Sequence, residues 1–407
     1  MTTVTVRKGG TRTTVTMIVI WFAYYYCILS LISLSSSCSN SITYPSSFLG
    51  VGVVHAQQIN IINVAKDKQR WERVVKEFER VGIFVAENDA DNKDDGGNSH
   101  HRHNVLHRID AVDGKSLSKE EIKENSSLGA RLFTTPGTIG CYMSHRKFWE
   151  QVAIASDDTS DGSVINDESD HYYQIIFEDD VILADNFSLE LINKYIKDEL
   201  ELYDKDWDVL LLGGLGCINP SLNYGPYNIP GYISGGLRTP QRISKHVHIP
   251  RRPFGTHGYV LSKNGATKLL EKAWKATYHV DCVIWGIQDL RLYICDPLLV
   301  YQDTSPSTVG AITSGIETYI PDSIIMDDYT KMTLKWVWNE AVIRIPILDV
   351  IITQGRYLLF GITGSIIGLY QLLKSNGNPT FLLTFNICYF SFIFMFNRLI
   401  NRPMGRY

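Results

Sequence analysis

The chain has no Cys-x-x-Cys pair and no stripe of basic residues. Its 7 cysteines are scattered singly, so the ligand spacing of structural zinc sites is missing. The 39 Lys and Arg are spread along the sequence against 43 Asp and Glu, which gives a net charge of −4. That distribution argues against nucleic acid as a partner. A hydrophobic content of 44% with 11% aromatic residues is typical of a globular protein rather than a disordered one.

The first 34 residues have the pattern of a secretory entry signal. Arg7, Lys8 and Arg12 precede Val15 to Leu34, a span without a formal charge. Its length matches the roughly 20 residues that a membrane-spanning helix needs. We expect residues 1–34 to be a signal anchor with the basic end in the cytoplasm, and a cleaved signal peptide is the alternative. Location in a membrane of the endoplasmic reticulum or Golgi, with the folded domain in the lumen, follows from this interpretation.

Residues 35–57 are rich in serine and predict a stem, and residues 58–340 predict one α/β domain. Two almost wholly polar stretches near 87–104 and 156–171 are interpreted as surface insertions. Four cysteines of the domain could pair in three ways or remain free thiols, and the sequence does not choose. These cysteines are Cys141, Cys217, Cys282 and Cys295.

The domain opens with the pattern of a βαβ unit. A strand pattern from Ile59 to Val64 leads into a helix pattern with apolar residues at helical spacing from Trp71 to Val81. Asn63 and Arg70 lie in or beside the connecting loop. We therefore expect both near the carboxyl edge of the sheet.

An acid cluster follows a second strand pattern. In QIIFEDDVIL, from Gln174 to Leu183, the carboxylates of Glu178, Asp179 and Asp180 stand between apolar segments. Ligands bind at the carboxyl end of strands in open α/β sheets, and buried carboxylates are costly without a partner. We interpret the cluster as functional; the alternative is a strand-to-turn transition with solvated acids.

Further candidate residues lie in three other stretches. His145 is placed on a predicted helix that starts near Gly137, where it is either a substrate contact or a buried structural histidine. His257 precedes a predicted strand in FGTHGYVLS, and a helix capped by Ser262 should follow. Asp281 stands among apolar residues, where a helix cap is the alternative role.

Two sequons begin at Asn125 and Asn186. Asn186 is also a natural helix N-cap, and a capping side chain would be a poor glycan acceptor. Asn125 is therefore the predicted glycosylation site.

Residues 341–407 form a hydrophobic C-terminal region. Two apolar runs, Tyr357 to Leu373 and Phe381 to Phe396, fall slightly short of the length of a membrane span. They predict a membrane hairpin, one span with an interfacial helix, or a helical pair packed on the domain. We favour contact with the membrane.

The order of the motifs resembles that of glycosyltransferase family 25, which includes lipooligosaccharide and procollagen galactosyltransferases. The series runs INIINVAKDKQRW, AVDG, GTIGCYMSHRKFWE, IIFEDDVIL, WDVLLLGG, FGTHGYVLS and a late VD before PLLVYQD. The resemblance covers roughly residues 58 to 310. It implies a GT-A fold, a Rossmann-like α/β domain that uses a nucleotide sugar, followed here by hydrophobic C-terminal helices.

The resemblance also implies roles for the candidate residues. A divalent cation, Mn²⁺ or alternatively Mg²⁺, would bridge the acids and the diphosphate of a UDP-sugar. Asp180 is the expected direct ligand. Glu178 is expected to lie behind the metal ligands or to contact the ribose, and Asp179 comes third among the acids. An inverting transferase needs a general base, for which Asp281 is the candidate and His257 and His145 are the alternatives. A further set, Asn63, Arg70, His145 and His257, would contact the nucleotide sugar.

These roles predict transfer of a hexose, galactose first, to a hydroxyl of a glycan or glycoprotein. A metal-dependent phosphoesterase would also use clustered carboxylates, but it would need further ligands for a second metal. A membrane-tethered sugar-binding module without activity is the non-enzymatic alternative.

Overall fold

The computed structural model describes residues 59–85, 105–154, 172–216, 238, 240–250, 253–287, 289–303, 323–327, 329–339, 341–345, 350–374, 380 and 382–389. The predicted anchor, the stem, the two polar insertions and Cys217 lie outside these residues.

Fifteen strands form one large sheet and three small ones within the part of the chain that the structure describes. The large sheet has nine strands in the order β2-β3-β1-β4-β9-β6-β10-β8-β7, and β5–β11, β12–β13 and β14–β15 form pairs. The strands are β1 (Ile59–Asn63), β2 (Phe84–Val85), β3 (Val105–Asp110), β4 (Tyr173–Glu178), β5 (Val181–Leu183), β6 (Val209–Leu211), β7 (Gln241–Arg242), β8 (Val247–Ile249), β9 (Gly258–Ser262), β10 (Leu292–Cys295), β11 (Val300–Gln302), β12 (Ile325–Asp327), β13 (Met332–Thr333), β14 (Ala341–Ile345) and β15 (Val350–Thr353).

The strand directions place the ends of several strands at one edge of the large sheet. Strands β2, β3, β1 and β4 are parallel, whereas β9 runs antiparallel to both of its neighbours, β4 and β6. The carboxyl ends of β1, β3, β4 and β6 therefore lie at the same edge as the amino end of β9. A large mixed sheet in an α/β protein fits the predicted Rossmann-like fold class.

Helices cover both faces of this sheet. A π-helical turn (Tyr195–Leu200) joins α5 to α6, and a 3₁₀ turn (Gly114–Ser116) precedes α2. The helices are α1 (Lys68–Glu79), α2 (Lys119–Asn125), α3 (Leu128–Phe133), α4 (Pro136–Ile154), α5 (Leu189–Lys194), α6 (Glu201–Tyr203), α7 (Lys263–Lys272), α8 (Val280–Ile284), α9 (Leu334–Trp338) and α10 (Gln354–Lys374).

Two hydrophobic clusters separate the sheet from these helices. Val74 and Phe78 of α1 pack with α5 residues on one face, and Phe148 and Trp149 of α4 pack with Leu269 of α7 on the other. The strands between them are buried on both sides, which explains why β1 and β4 are almost continuously apolar in sequence. The result is a three-layer α/β domain.

Side-chain caps confirm one predicted helix start and correct another. The Ser262 hydroxyl accepts a hydrogen bond from the Gly265 backbone N–H of α7 at 3.0 Å, as predicted. Asn186 is not the cap of α5: the Ser188 hydroxyl accepts from the Leu191 N–H at 3.1 Å. The chain first makes a turn in which the Phe187 N–H donates to the Ala184 carbonyl, and this delays the helix start by two residues.

Three of the four domain cysteines, Cys141, Cys282 and Cys295, are free thiols. Cys282 and Cys295 are buried, which is the common state of a reduced structural cysteine. The fourth lies outside the described residues.

The C-terminal region contains α10 and a second helical segment at 382–389. Among the described residues, no helix combines the length and the hydropathy that a bilayer span requires. Membrane contact by this region stays a prediction.

His248, on β8, is a buried histidine that makes the folded state sensitive to acid. It is fully buried, and burial lowers its pKa to about 4, although the charge of Asp296 opposes the shift. Between about pH 6.5 and 4, His248 therefore binds a proton in the unfolded chain but not in the folded chain. Folded-state stability rises with pH through this window and is lost as the pH falls.

We expect His248→Gln to reduce the loss of unfolding free energy between pH 7 and pH 5 by about 1–2 kcal/mol, since a glutamine takes up no proton. Urea unfolding at both pH values measures this difference. His107→Gln, at a half-buried histidine of β3, is the matched control and should leave the pH dependence unchanged. Equal pH dependence in wild type and His248→Gln would contradict the assignment.

Candidate functional site

The candidate site lies at the sheet edge where the carboxyl ends of the parallel strands meet. Asn63 ends β1, Glu178 ends β4, and Asp179 and Asp180 form the turn into β5. Thr256 and His257 enter the same edge just before β9 begins. The topology therefore brings together residues that are as much as 194 positions apart in the sequence, from Asn63 to His257.

Asp179 is held by two side chains from the opening βαβ unit. The Asn63 amide donates to one carboxylate oxygen at 2.6 Å, and the Arg70 guanidinium donates to the other at 2.6 Å. The Arg108 guanidinium donates in turn to the Asn63 amide oxygen. Burial raises the pKa of Asp179, although Arg70 and Asn63 oppose this shift. Because both of its carboxylate oxygens accept hydrogen bonds, Asp179 positions the side chains of Asn63 and Arg70.

Glu178 points away from Asp179 into a second set of partners. His145 Nε2 lies 3.1 Å from a Glu178 carboxylate oxygen, and the Thr256 hydroxyl donates to the same oxygen. Burial acts to raise the pKa of Glu178, but these two partners outweigh it, and the pKa is lower than usual. Glu178 is therefore ionised at neutral pH.

His145 belongs to a buried hydrogen-bonded chain. Its Nδ1 lies 3.0 Å from the Tyr259 hydroxyl, which also accepts a hydrogen bond from the Trp149 indole N–H at 3.0 Å. With the Tyr259 hydroxyl proton directed to Nδ1, the Nε2–H of His145 donates to Glu178. Each side chain of this hydrogen-bonded chain, from Trp149 to Glu178, then has a hydrogen-bond partner. The fully buried His145 thus orients Glu178, which is the structural role that the sequence left open; contact with a substrate stays a prediction.

Asp180 is the carboxylate whose partners are incomplete. One oxygen accepts from the Gln302 amide at 3.2 Å, while the other, also buried, has no hydrogen-bond partner among the described residues. Burial raises its pKa to about 8, and the negative charges of Glu178 and Asp179 add to the shift. A bound cation would remove this electrostatic cost.

The donor chemistry of the cluster fits a hard divalent cation. Carboxylate oxygens are the preferred ligands of Mg²⁺ and Mn²⁺. The open oxygen of Asp180 and the ionised Glu178 would hold such an ion, whereas both Asp179 oxygens are engaged. Cys141, His145 and Glu178 also place one potential ligand atom each within 4.8 Å of one another. However, Glu178 and His145 already bond to each other, and burial raises the pKa of the Cys141 thiol well above its usual value.

His257 lies beside the acids in a space made by two glycines. A Cβ atom at Gly213 would approach His257 Nε2 to 2.4 Å, and one at Gly255, where φ is +85°, would approach Nδ1 to 2.7 Å. Neither ring nitrogen has a hydrogen-bond partner among the described residues. Burial lowers the pKa of His257 to about 4, so the ring is neutral at physiological pH.

Asp281 lies in the first turn of α8, where both carboxylate oxygens accept backbone hydrogen bonds. The Gly255 N–H donates at 2.8 Å and the Cys282 N–H at 2.7 Å. The Trp285 indole donates to the Gly255 carbonyl at 2.8 Å. Asp281 thus anchors the loop that carries Thr256 and His257, a role that the sequence did not reveal.

The structure brings most of the predicted residues together. The acids, Asn63, Arg70, His145 and His257 lie at one edge of the sheet, where Asn63 and Arg70 were expected, and Asp281 bonds to the loop that leads to His257. The roles predicted for these residues stay predictions. Thr256, Tyr259, Arg108 and Gln302 were not predicted, although all four lie within motifs of the family resemblance or directly beside them. Their position in or beside these motifs is the sequence signal that could have identified them.

Asn125 lies at the end of α2, away from the acid cluster in sequence and on a different element. Its amide donates to the Glu121 carbonyl at 2.9 Å, and its side-chain oxygen accepts from Arg146 at 3.0 Å. The second sequon asparagine, Asn186, is exposed. Glycosylation at Asn125 stays a prediction.

The comparisons with known proteins agree on one family. The family model described as "Glycosyltransferase family 25 (LPS biosynthesis protein)" matches residues 56–284. A rat protein named "Probable inactive glycosyltransferase 25 family member 3" is 27% identical over 281 residues, 61% of this chain and 41% of that protein. The human "Inactive glycosyltransferase 25 family member 3" is 24% identical over 278 residues, 61% of this chain and 40% of that protein.

A relative named for an activity also matches. The zebrafish "Procollagen galactosyltransferase 1" is 22% identical over 263 residues, 57% of this chain and 36% of that protein. The chain thus spans about two fifths of the length of the curated relatives that it matches. Since the family match extends from before β1 into α8 and includes the acid cluster, this chain belongs to glycosyltransferase family 25.

Proposed function

We propose that this protein transfers a hexose, galactose in the first instance, from a UDP-sugar to a hydroxyl of a glycan or glycoprotein. The observation that carries the proposal is the buried, unpartnered carboxylate oxygen of Asp180 at the carboxyl edge of a family 25 domain. A sugar diphosphate is an anion, so bare acids would repel it. A site with this charge binds such a donor when a cation lies between the two.

A divalent cation, Mn²⁺ or Mg²⁺, would neutralise the diphosphate and the charge of the departing nucleotide when bound. Asp180 and Glu178 are the residues proposed to hold it. Asp179 keeps Asn63 and Arg70 in place at the start of α1, and His145 fixes the orientation of Glu178. These contacts would hold the acids in a fixed arrangement for the donor.

An inverting transfer needs a base that takes the proton of the acceptor hydroxyl. Asp281 is proposed for this role because it lies in the loop-anchoring position next to Gly255, and each of its oxygens retains a second lone pair. The neutral, unpartnered imidazole of His257 is the alternative base. The site is expected to face the lumen of the endoplasmic reticulum or Golgi.

A non-catalytic module that binds the nucleotide sugar is the second candidate. The specific observation in its favour is that several relatives carry the word inactive in their names. A two-metal phosphoesterase has less support, since only one group of possible metal ligands is found among the described residues.

Turnover decides between the first two candidates. The purified full-length protein with Mn²⁺ and UDP-galactose should release UDP, and addition of a hydroxyl acceptor such as a collagen peptide should increase the rate. Binding of UDP-galactose without turnover, across a panel of nucleotide sugars and acceptors, would favour the non-catalytic module.

Asp180→Asn should abolish the metal-dependent part of UDP binding, because an amide carries no charge to hold the cation. Isothermal titration calorimetry with and without Mn²⁺ measures this directly. Asp185→Asn is the matched control, since Asp185 is an exposed acid five residues away and should not affect affinity. Unaltered Mn²⁺-dependent affinity in Asp180→Asn would remove this residue as a ligand.

Asp281→Asn should leave UDP affinity within about twofold and lower the transfer rate by roughly 100-fold or more, the usual effect of losing a general base. Because one backbone N–H then faces an amide NH₂, the free energy of unfolding should also fall by about 1–3 kcal/mol. The measurements are initial rates, calorimetry and urea unfolding, with the exposed Asp289→Asn as control. A stability loss with retained turnover would leave Asp281 only as an anchor of the loop.

A further inference from the structure

The C-terminal hairpin, which we define as α10 together with the helical segment 382–389, exposes an unusual amount of apolar surface. On α10, Phe360 is 64% exposed, Ile366 is 62% exposed and Leu373 is 72% exposed. On the second segment, Ile387 is 57% exposed. Other large apolar side chains of the hairpin that are exposed are Ile362, Ile367, Leu369, Tyr370 and Leu383.

Small residues form the contact between the two helices. A Cβ atom at Gly361 would lie 2.7 Å from the Tyr389 hydroxyl oxygen, and one at Gly364 would lie 1.8 Å from Phe385 Cζ. One at Gly368 would lie 2.8 Å from Leu382 Cδ1. The glycines are thus on the inside of the hairpin and the isoleucines on the outside. This arrangement is the reverse of an amphipathic soluble pair and is characteristic of helices packed in lipid.

Aromatic packing and internal hydrogen bonding complete this interface. Phe360 lies 5.9 Å from Phe385 and 5.8 Å from Tyr389 between ring centroids. The Asn386 amide donates to the Leu382 carbonyl of its own helix at 2.7 Å. This amide donor therefore bonds within its own helix, as an apolar surrounding requires.

The base of the hairpin is fixed to the domain. Gly355 packs against Trp338 of α9, since a Cβ there would come within 2.1 Å of the indole ring. The Arg356 guanidinium lies 4.8 Å from the Phe133 ring centroid of α3. The exposed apolar face therefore has a defined orientation relative to the catalytic domain.

Charge distinguishes this region from the rest of the chain. Residues 350–407 contain no Asp or Glu, although the whole chain has a net charge of −4. The basic residues in this stretch are Arg356, Lys374, Arg398, Arg402 and Arg406. Lys374 ends α10, and the last three follow the hairpin in sequence.

We propose that the outer face of the C-terminal hairpin binds to the surface of a bilayer with anionic headgroups. The large apolar side chains would enter the headgroup and acyl boundary, and the positive charge of this stretch of sequence would favour lipids with a net negative charge. A second copy of the chain fits less well, because a symmetric contact would bring the two uniformly basic regions together.

The experiment measures contact of the hairpin with lipid independently of the N-terminal apolar segment. Cys388 is an exposed free thiol on the second helical segment, and it can carry an environment-sensitive fluorophore. The full-length protein would be labelled there after four other cysteines are replaced by serine and bound to vesicles containing phosphatidylserine and brominated phosphatidylcholine. The replaced residues are Cys27, Cys38, Cys141 and Cys217.

Bromine quenches only fluorophores that enter the bilayer. We expect quenching of at least about twofold at Cys388, weaker quenching in vesicles without phosphatidylserine, and loss of quenching in Ile362→Asp/Ile366→Asp. Both isoleucines are more than half exposed, so the substitutions should leave the fold intact, which circular dichroism verifies. The matched control is a fluorophore on Leu202→Cys with Cys388→Ser, at an 81% exposed position on the domain, and it should not be quenched.

Two results would overturn the proposal. Equal quenching at both labelled positions, or none at Cys388, would show that the hairpin does not enter lipid specifically. Sedimentation equilibrium without vesicles provides the second test. A dimer that shields Cys388 and dissociates in Ile362→Asp/Ile366→Asp would identify a second copy as the occupant of this face.

Discussion

The site depends on the free-energy cost of placing three consecutive carboxylates at the end of a buried strand. Isolated buried charges are prohibitively unfavourable, so each acid must find its own compensation. Asp179 is compensated by Arg70 and Asn63, and Glu178 by His145 and Thr256. Asp180 keeps an oxygen without a partner among the residues that the structure describes. Two acids are thus compensated by neighbouring side chains, and the open oxygen of the third is where we propose that a cation binds.

Steric constraints shape the site together with the electrostatic cost of the three buried carboxylates. The sheet edge must leave room for an imidazole beside the acids, and Gly213 and Gly255 provide that room because neither has a Cβ atom. Asp281 and Trp285 hold the backbone on both sides of Gly255. The ring of His257, which has no hydrogen-bond partner among the described residues, is therefore fixed in place by the packing around it.

Local sequence patterns predicted the parts of the fold that local physics determines. The strand pattern from Ile59, the helical spacing before Val81 and the Ser262 cap all correspond to observed elements. The cap at Asn186 was wrong because a turn at Ala184, visible only in the backbone hydrogen bonds, shifts the helix start. The partners of the acids, such as Gln302 for Asp180, depend on strand order, and no local pattern encodes the pairing of strands distant in sequence.

The positions of the site residues along the chain have a consequence for folding. The acids occupy three adjacent residues, but their partners extend from Asn63 to Gln302, and β5 pairs with β11 to bring Gln302 into place. Contacts between residues so far apart form late, because the intervening chain must be ordered first. During synthesis, a polypeptide that has not yet emerged beyond Gln302 carries the acid cluster without its complete surroundings. Complete assembly of the acid cluster with its partners therefore requires that nearly the whole domain has folded.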